Sequence, residues 1–203
     1  MSNSMFVHVV DDDEAMRASL EFLLDSEGFA VRLYESAKPL LDELADLVPG
    51  CILTDIRMPD IDGLELLRHI KASGRSFPVI VMTGHGDVPL AVQAMKLGAD
   101  DFIEKPFEDE ALFRALRSAF RTAELNPKPD AIVEDFKLRL LSLSQRERQV
   151  LDGIVGGHAN KVIARNLNIS PRTVEIYRAK LMSKLQASSL SELVRWAVRA
   201  GIA

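Results

Sequence analysis

The sequence predicts an α/β domain followed by an all-α domain, and three observations carry that reading. Over roughly the first 122 residues, short apolar runs alternate five times with segments of helical periodicity, and each run ends at a polar residue. Such alternation means parallel strands joined by right-handed crossover helices. After a proline-rich stretch the strands stop and helix-capping residues follow one another at short intervals. The charge changes at the same place. Residues 1–124 carry 12 Lys and Arg against 23 Asp and Glu, net −11, whereas residues 125–203 carry 13 against 7, net +6. The overall −5 conceals this asymmetry, which makes nucleic acid a partner of the second part only.

In chain order, Phe6, Val7, Val9 and Val10 form a first strand that stops at Asp11-Asp12-Asp13. A helix is expected from Glu14 to Glu27, with Ala15, Ala18, Phe22 and Leu23 on one face and Gly28 ending it. Strand Phe29 to Leu33, helix Ser36 to Leu47, strand Cys51 to Thr54 and helix Gly63 to Ala72 follow. A fourth strand, Pro78 to Met82, delivers Thr83; a Gly84-His85-Gly86-Asp87 turn leads to a helix near Val88 to Leu97. The fifth strand, Asp101 to Glu104, delivers Lys105-Pro106, and a helix from Glu108 runs past Phe120.

Asn126-Pro127-Lys128-Pro129-Asp130 marks a boundary, because two prolines so close do not fit a helix interior. The following Ala131 to Leu141 is apolar enough to pack, and the sequence leaves helix or free linker open. Ser144-Gln145-Arg146-Glu147 has capping-box spacing, and so has Ser189-Leu190-Ser191-Glu192. Between them, Asn160 to Leu167 reads as a short helix burying Ile163, Ala164 and Leu167. Ser170-Pro171 opens another, with Val174, Tyr177, Leu181 and Leu185 on one face.

At 203 residues the chain has room for two ordinary domains. Its single cysteine, Cys51, begins an apolar strand and reads as buried filler, which excludes an internal disulfide framework and suits a reducing cytoplasm. No basic leader with a small-residue cleavage site and no uninterrupted membrane span is visible, so a soluble cytoplasmic protein is expected. His8, His69, His85 and His158 show no ligand spacing.

The centre of the first part is Cys51-Ile52-Leu53-Thr54-Asp55, an apolar strand ending in a carboxylate. In an open α/β sheet that end is where ligands and chemistry sit. A strand-end Asp alone is often only a helix cap. Asp11, Asp12, Asp55, Thr83 and Lys105 at matching strand ends form a pattern with chemical content. Three acids close together repel one another, which raises their pKa values or calls for a divalent cation, and Mg²⁺ suits oxygen ligands and waters.

These residues resemble the receiver domain of bacterial two-component response regulators over the first 122 residues. The resemblance implies a flavodoxin-like sheet of order 2-1-3-4-5, with Asp55 as phosphoacceptor. Mg²⁺ would be held by Asp11, Asp12, Asp55 and the backbone carbonyl of Arg57, with Asp13 outside the metal shell. Thr83 and Lys105 would steady the phosphoryl group, a cis peptide would precede Pro106, and Phe102 would act as the aromatic switch. Its rival, plain core packing of Phe102, stands at even weight.

Residues 143–203 resemble the four-helix LuxR-type DNA-binding domain, through Leu143 to Leu151, Asn160 to Ala164 and Ile169 to Glu175. Together the two halves resemble response regulators of the FixJ family, with domains 1–122 and 143–203 and a linker 123–142. A helix-turn-helix places its second helix in the major groove. Lys161, Arg172, Arg178, Lys180 and Lys184 are expected on phosphates, with Thr173 beside them. Glu175, Ile176 and Ala179, with Arg178, would choose bases. Glu175 stands where a lysine is frequent and Tyr177 where a histidine is frequent.

The implied partners are a FixL-like sensor histidine kinase, promoter DNA, RNA polymerase and a second copy of the chain upon phosphorylation. Oxygen-responsive or nitrogen-fixation genes are the implied targets. Two rivals belong to other classes. An aspartyl-phosphate-forming phosphatase would need a substrate pocket, a second acid and cap insertions, for which the loops are short. A receiver acting only by sequestration would not need the basic helix-turn-helix. Beyond handling its own phosphorylation, no enzyme activity is expected.

Overall fold

The computed structural model describes residues 5–84, 88–125 and 129–202, and only the backbone at 88, 122–125 and 129–132. The Gly84-His85-Gly86-Asp87 turn and the boundary around Pro127 thus lie largely outside the described residues. Two compact units emerge: residues 1–85 with 97–126, and residues 86–96 with 127–203.

The first unit is a parallel sheet of β1 (Phe6–Val10), β2 (Ala30–Tyr34), β3 (Cys51–Asp55), β4 (Val79–Thr83) and β5 (Asp101–Glu104), in the order β2-β1-β3-β4-β5. Helices α1 (Glu14–Ser26), α2 (Ala37–Asp42) and α3 (Gly63–Ala72) connect the first four strands. Helix α4 (Val88–Lys96) follows β4, and α5 (Asp109–Leu125) follows β5. Alternate residues of the strands, Val7, Val9, Cys51, Leu53, Ile80, Met82 and Ile103, join Leu20, Leu24, Leu112, Phe113 and Leu116 in one apolar cluster. Burying each such side chain contributes roughly 1.5–3 kcal/mol. The other sheet face is buried too, as an all-parallel sheet requires. There His8 gives its Nε2 to a 2.9 Å hydrogen bond with the Val48 carbonyl, and burial holds its pKa below the usual histidine value.

Some expectations shift. Ala15, Ala18 and Phe22 of α1 face solvent, Phe22 at 80 % exposure; the buried stripe is Leu20 and Leu24, with Met16 and Leu23 beside it. Two helical stripes compete in this segment, and the one bearing the larger aliphatic side chains goes inside. Helix α2 ends at Asp42 rather than Leu47, since a turn carries Leu44 and Leu47 into the core without helix.

The second unit contains α4 and α6 (Pro129–Leu140), α7 (Gln145–Val155), α8 (Asn160–Leu167), α9 (Pro171–Leu185) and α10 (Leu190–Arg199). The segment left open by the sequence is thus helical, and its Phe136, 1 % exposed, stands edge-on to Trp196 at 5.7 Å. Ser144 and Glu147 close a reciprocal capping box at α7. At α10 the box is only half formed. Ser189 caps Glu192, but the Glu192 carboxylate accepts from the Ser188 N–H and hydroxyl instead of the Ser189 N–H. Leu167 is half-buried, and so is Tyr177 on the core side of α9.

Glu147 is buried and receives the Lys184 ammonium at 2.7 Å and the Ser144 N–H at 2.7 Å. Those two donors hold its carboxyl down to about 2. A carboxylate depressed in the folded state contributes stability above its ordinary pKa of 4.5, lost as pH falls toward about 2. Urea denaturation followed through Trp196, the single tryptophan, should therefore show Glu147→Gln less stable by about 1–2 kcal/mol at pH 7. That gap should narrow between those two pH values and close near the lower one.

Candidate functional site: a lysine between strand-end carboxylates

Parallel register assembles the site. Val10 pairs with Thr54, Thr54 with Val81, and Thr83 with Glu104. The residues one step beyond, Asp11, Asp55 and Lys105, therefore come to the same carboxyl edge, with Thr83 between them. Asp11 is 1 %, Asp55 8 % and Thr83 1 % exposed. The peptide Lys105-Pro106 is cis, as the resemblance implied.

The Lys105 ammonium donates to Asp11 Oδ2 at 2.8 Å and to Asp55 Oδ1 at 2.5 Å. Burial pulls the lysine pKa down, but the bonds it donates to Asp11 and Asp55 outweigh it and hold the ammonium above its usual value. For Asp55 the balance goes the other way. Burial pushes its carboxyl up, Lys105 and the Arg57 N–H offset only part of that, and Asp11 adds repulsion.

The backbone beyond β3 is equally constrained. The Arg57 N–H donates to Asp55 Oδ2 at 2.6 Å, and the Gly63 N–H donates to the Ile56 carbonyl at 2.9 Å. A Cβ on Gly63 would stand 2.2 Å from the Asp55 carbonyl oxygen. No side chain fits there, so glycine lets α3 start directly beneath the acid. That requirement was missed from sequence, although Asp62-Gly63 at a helix start is a visible hint; Asp62 caps α3 through the Glu65 N–H at 2.8 Å. Asp13 caps α1, accepting from Ala15 and Met16. Asp12 is exposed.

Among the described residues no three His, Cys, Asp or Glu side chains are gathered as a ready cation cage. The donor chemistry nonetheless fits Mg²⁺, which keeps several waters and takes one or two carboxylates. Asp12 and Asp55 with a loop carbonyl offer oxygens only.

Phe102, for which an aromatic switch and plain core packing stood side by side, is 8 % exposed and lies in the core. A cavity of about 360 Å³ lined by Lys71, Arg75, Phe77, Pro78 and Asp100 opens at the amino end of β4, the opposite edge from Asp55. Its cations are engaged, Lys71 by Asp100 and the Phe77 carbonyl, Arg75 by the Ala45 and Leu47 carbonyls.

In the second unit, α9 is capped by Ser170, which accepts from the Thr173 N–H at 3.1 Å and meets the Thr173 hydroxyl at 2.8 Å. Arg172, Glu175, Ile176, Ala179 and Lys180 are exposed on α9, and Lys161 on α8. Ile176 keeps 51 % of its surface in solvent, an apolar residue displayed among charges. Two expected contacts are engaged by partners within the unit. Lys184 directs its ammonium to Glu147 and to the Ser142 carbonyl at 3.1 Å. Arg178 is half-buried and donates to Asn160 Oδ1 at 2.8 Å. Neither partner could be read from spacing, since each lies far away in the chain. Lys180 rides over the Tyr177 ring at 5.7 Å, which gives the departure at position 177 a structural use.

Replacing Lys105 by Met leaves two buried carboxylates facing each other without their cation. Lys105→Met should lower the stability of the first unit by on the order of 3 kcal/mol in chelator, measured by chemical denaturation followed by circular dichroism. Addition of Mg²⁺ should restore part of the loss, and no response to either change would mean that the lysine is not what balances the acids.

Comparison with known proteins agrees with both halves. Residues 7–117 match the response regulator receiver domain, and residues 141–197 match the bacterial regulatory proteins of the luxR family. The chain is 56% identical over 202 residues to the transcriptional regulatory protein FixJ of Bradyrhizobium diazoefficiens, covering 100% of this chain and 98% of that one. Among solved structures it is similar to full-length FixJ from B. japonicum, at 56% identity and TM-score 0.59, covering 98% of each chain. It is also similar to the beryllofluoride-activated NtrC4 receiver domain dimer, at 36% identity and TM-score 0.55, covering 59% of this chain and 98% of that one. The first of these relatives is named a transcriptional regulatory protein. No helix among the described residues is long and apolar enough to cross a membrane. The chain belongs to the FixJ-type response regulators, in which a receiver domain and a LuxR-type helix-turn-helix make a phosphorylation-activated regulator of transcription.

Proposed function

We propose that Asp55 is the phosphoacceptor, and the observation that carries this is the Lys105 ammonium bridging Asp55 and Asp11 across three strands. A carboxylate oxygen of Asp55 attacks phosphorus, the P–N bond of a phosphohistidine on the kinase breaks, and an acyl phosphate forms. The ring nitrogen keeps the electron pair of the broken bond. Lys105 stands where it neutralises the phosphoryl oxygens, and Thr83, at the end of β4, offers a hydroxyl to them. Asp11, Asp12, Asp55 and the Arg57 carbonyl would hold Mg²⁺, which when bound supplies charge neutralisation for the transfer. The only catalysis in this reading is of the protein's own phosphorylation and dephosphorylation.

Phosphorylation takes the charge at residue 55 from about −1 to about −2 and adds acceptor oxygens. Thr83 turns toward them, and Phe102 adjusts within the core. The receiver, residues 1–122, then self-associates, a reading supported by the activated dimer named for the NtrC4 relative. Pairing raises DNA affinity through effective concentration. Lys161, Arg172 and Lys180 dock on phosphates, while Glu175, Ile176 and Ala179 meet base edges, with Thr173 at the helix start. Arg178 and Lys184 act chiefly by holding α9 to its neighbours.

The partners in this reading are a FixL-like sensor histidine kinase in the cytoplasm, promoter DNA and RNA polymerase. Identity above half with FixJ proteins supports control of oxygen-responsive or nitrogen-fixation genes.

Acetyl phosphate with Mg²⁺ should dimerise the protein and tighten operator binding at least ten-fold, and Asp55→Asn should lose both responses. Sedimentation and electrophoretic mobility measurements check this; a full response in Asp55→Asn would sink the assignment. A second expectation concerns salt. Log affinity should fall linearly with log salt, and Lys180→Ala should flatten the slope by about 1, whereas Lys184→Ala should barely change it. Equal changes for the two lysines would remove the distinction drawn between them.

A further inference from the structure

Arg17 lies on α1, outside every acid and lysine of the site, yet its Nη1 donates to the backbone carbonyl of Asp11 at 2.7 Å. Its own N–H bonds to the Asp13 carbonyl at 3.0 Å. The second is the first backbone bond of α1, which any residue there would make, so it is the guanidinium that specifically holds the start of the Asp11-Asp12-Asp13 turn. Asp11 has left the strand ladder: its N–H still bonds to the Tyr34 carbonyl at 3.2 Å, but no next strand residue is there to take its carbonyl. A buried carbonyl in that position needs a donor, and Arg17, half-buried, supplies it. The remaining polar atoms of Asp11 are held by other groups, Oδ1 by the Asp13 N–H at 2.9 Å and Oδ2 by Lys105 at 2.8 Å.

We propose that Arg17 is a positioning residue for the cation site, acting through Asp11. It anchors the backbone from which the Asp11 carboxylate and, one residue on, the Asp12 carboxylate project. The proposal rests on the Mg²⁺ reading above. Charge and position pull in opposite directions here, which makes the idea testable. A guanidinium beside a divalent cation repels it, so if charge dominated, removing Arg17 would tighten Mg²⁺ binding. If anchoring dominates, removing it frees the turn, and the carboxylates must be ordered at the cost of affinity. Groups that orient metal ligands typically change metal affinity about 10–100-fold when lost.

The experiment is a MgCl₂ titration of the full-length protein at constant ionic strength, followed by the amide chemical shifts of Asp12 and Asp13. Wild type, Arg17→Gln and Arg17→Lys are compared, with circular dichroism in chelator as the folding control. Arg17→Gln should bind Mg²⁺ about ten-fold more weakly, and Arg17→Lys, which keeps a charge and a donor, should recover part of the loss. Slow phosphorylation of Arg17→Gln by acetyl phosphate should recover at saturating Mg²⁺. Affinity unchanged within two-fold in a folded Arg17→Gln protein, or tighter binding, overturns the proposal. Should Arg17→Gln not fold, Arg17→Lys decides by the same criterion, with a loss of about three-fold expected. A wild type that does not bind Mg²⁺ overturns the cation reading and this proposal with it, whereas a binding wild type with an equal variant overturns the positioning role alone.

Discussion

One ammonium between two buried carboxylates is the constraint around which the first unit is built. Lys105 reaches Asp11 and Asp55 only because β1, β3 and β5 are parallel and in a register that ends them at one level. A buried ion pair contributes little net stability compared with apolar groups of the same shape. The lysine holds the two acids close together, and burial keeps the Asp55 carboxyl above its ordinary value.

The second unit applies similar electrostatics to a structural end. Glu147 caps α7 and takes the Lys184 ammonium, so one buried carboxylate ties the start of α7 to the end of α9. Asn160 and Arg178 tie α8 to α9. Fastened at two places, α9 leaves Arg172, Glu175, Ile176, Ala179 and Lys180 exposed on its outer side. The two units also differ in sign, −11 before residue 125 and +6 after it.

Much of the site was legible because it lies at strand ends. Apolar runs stop where the chain leaves the sheet, so Asp11, Asp55, Thr83 and Lys105 could be located by counting. Helix faces were less legible. In α1, Ala15, Ala18 and Phe22 compete with Leu20 and Leu24 for the inward side, and only packing against the sheet decides between them. The α10 cap shows the same limit at smaller scale. Glu192 has the spacing of a capping box, but the preceding Ser188 presents both an N–H and a hydroxyl, and two donors outcompete one.

The sequence by itself determined the order of the elements, the residues at the strand ends and the N-cap serines, all of which depend on neighbours a few positions apart. Which partner each charge takes was decided by tertiary structure. Lys105 and Asp11 are 94 residues apart, Lys184 and Glu147 are 37, and Arg178 and Asn160 are 18. Spacing carries no information at such separations, because a side chain chooses among the groups that the folded backbone brings within about 3 Å. Cys51 to Asp55 could be recognised as the centre of the first unit only together with Asp11, Asp12, Thr83 and Lys105 at the other strand ends. That the acid is held by Lys105 on one oxygen and by the Arg57 N–H on the other, above a glycine with no room for a methyl group, follows only from the packed sheet.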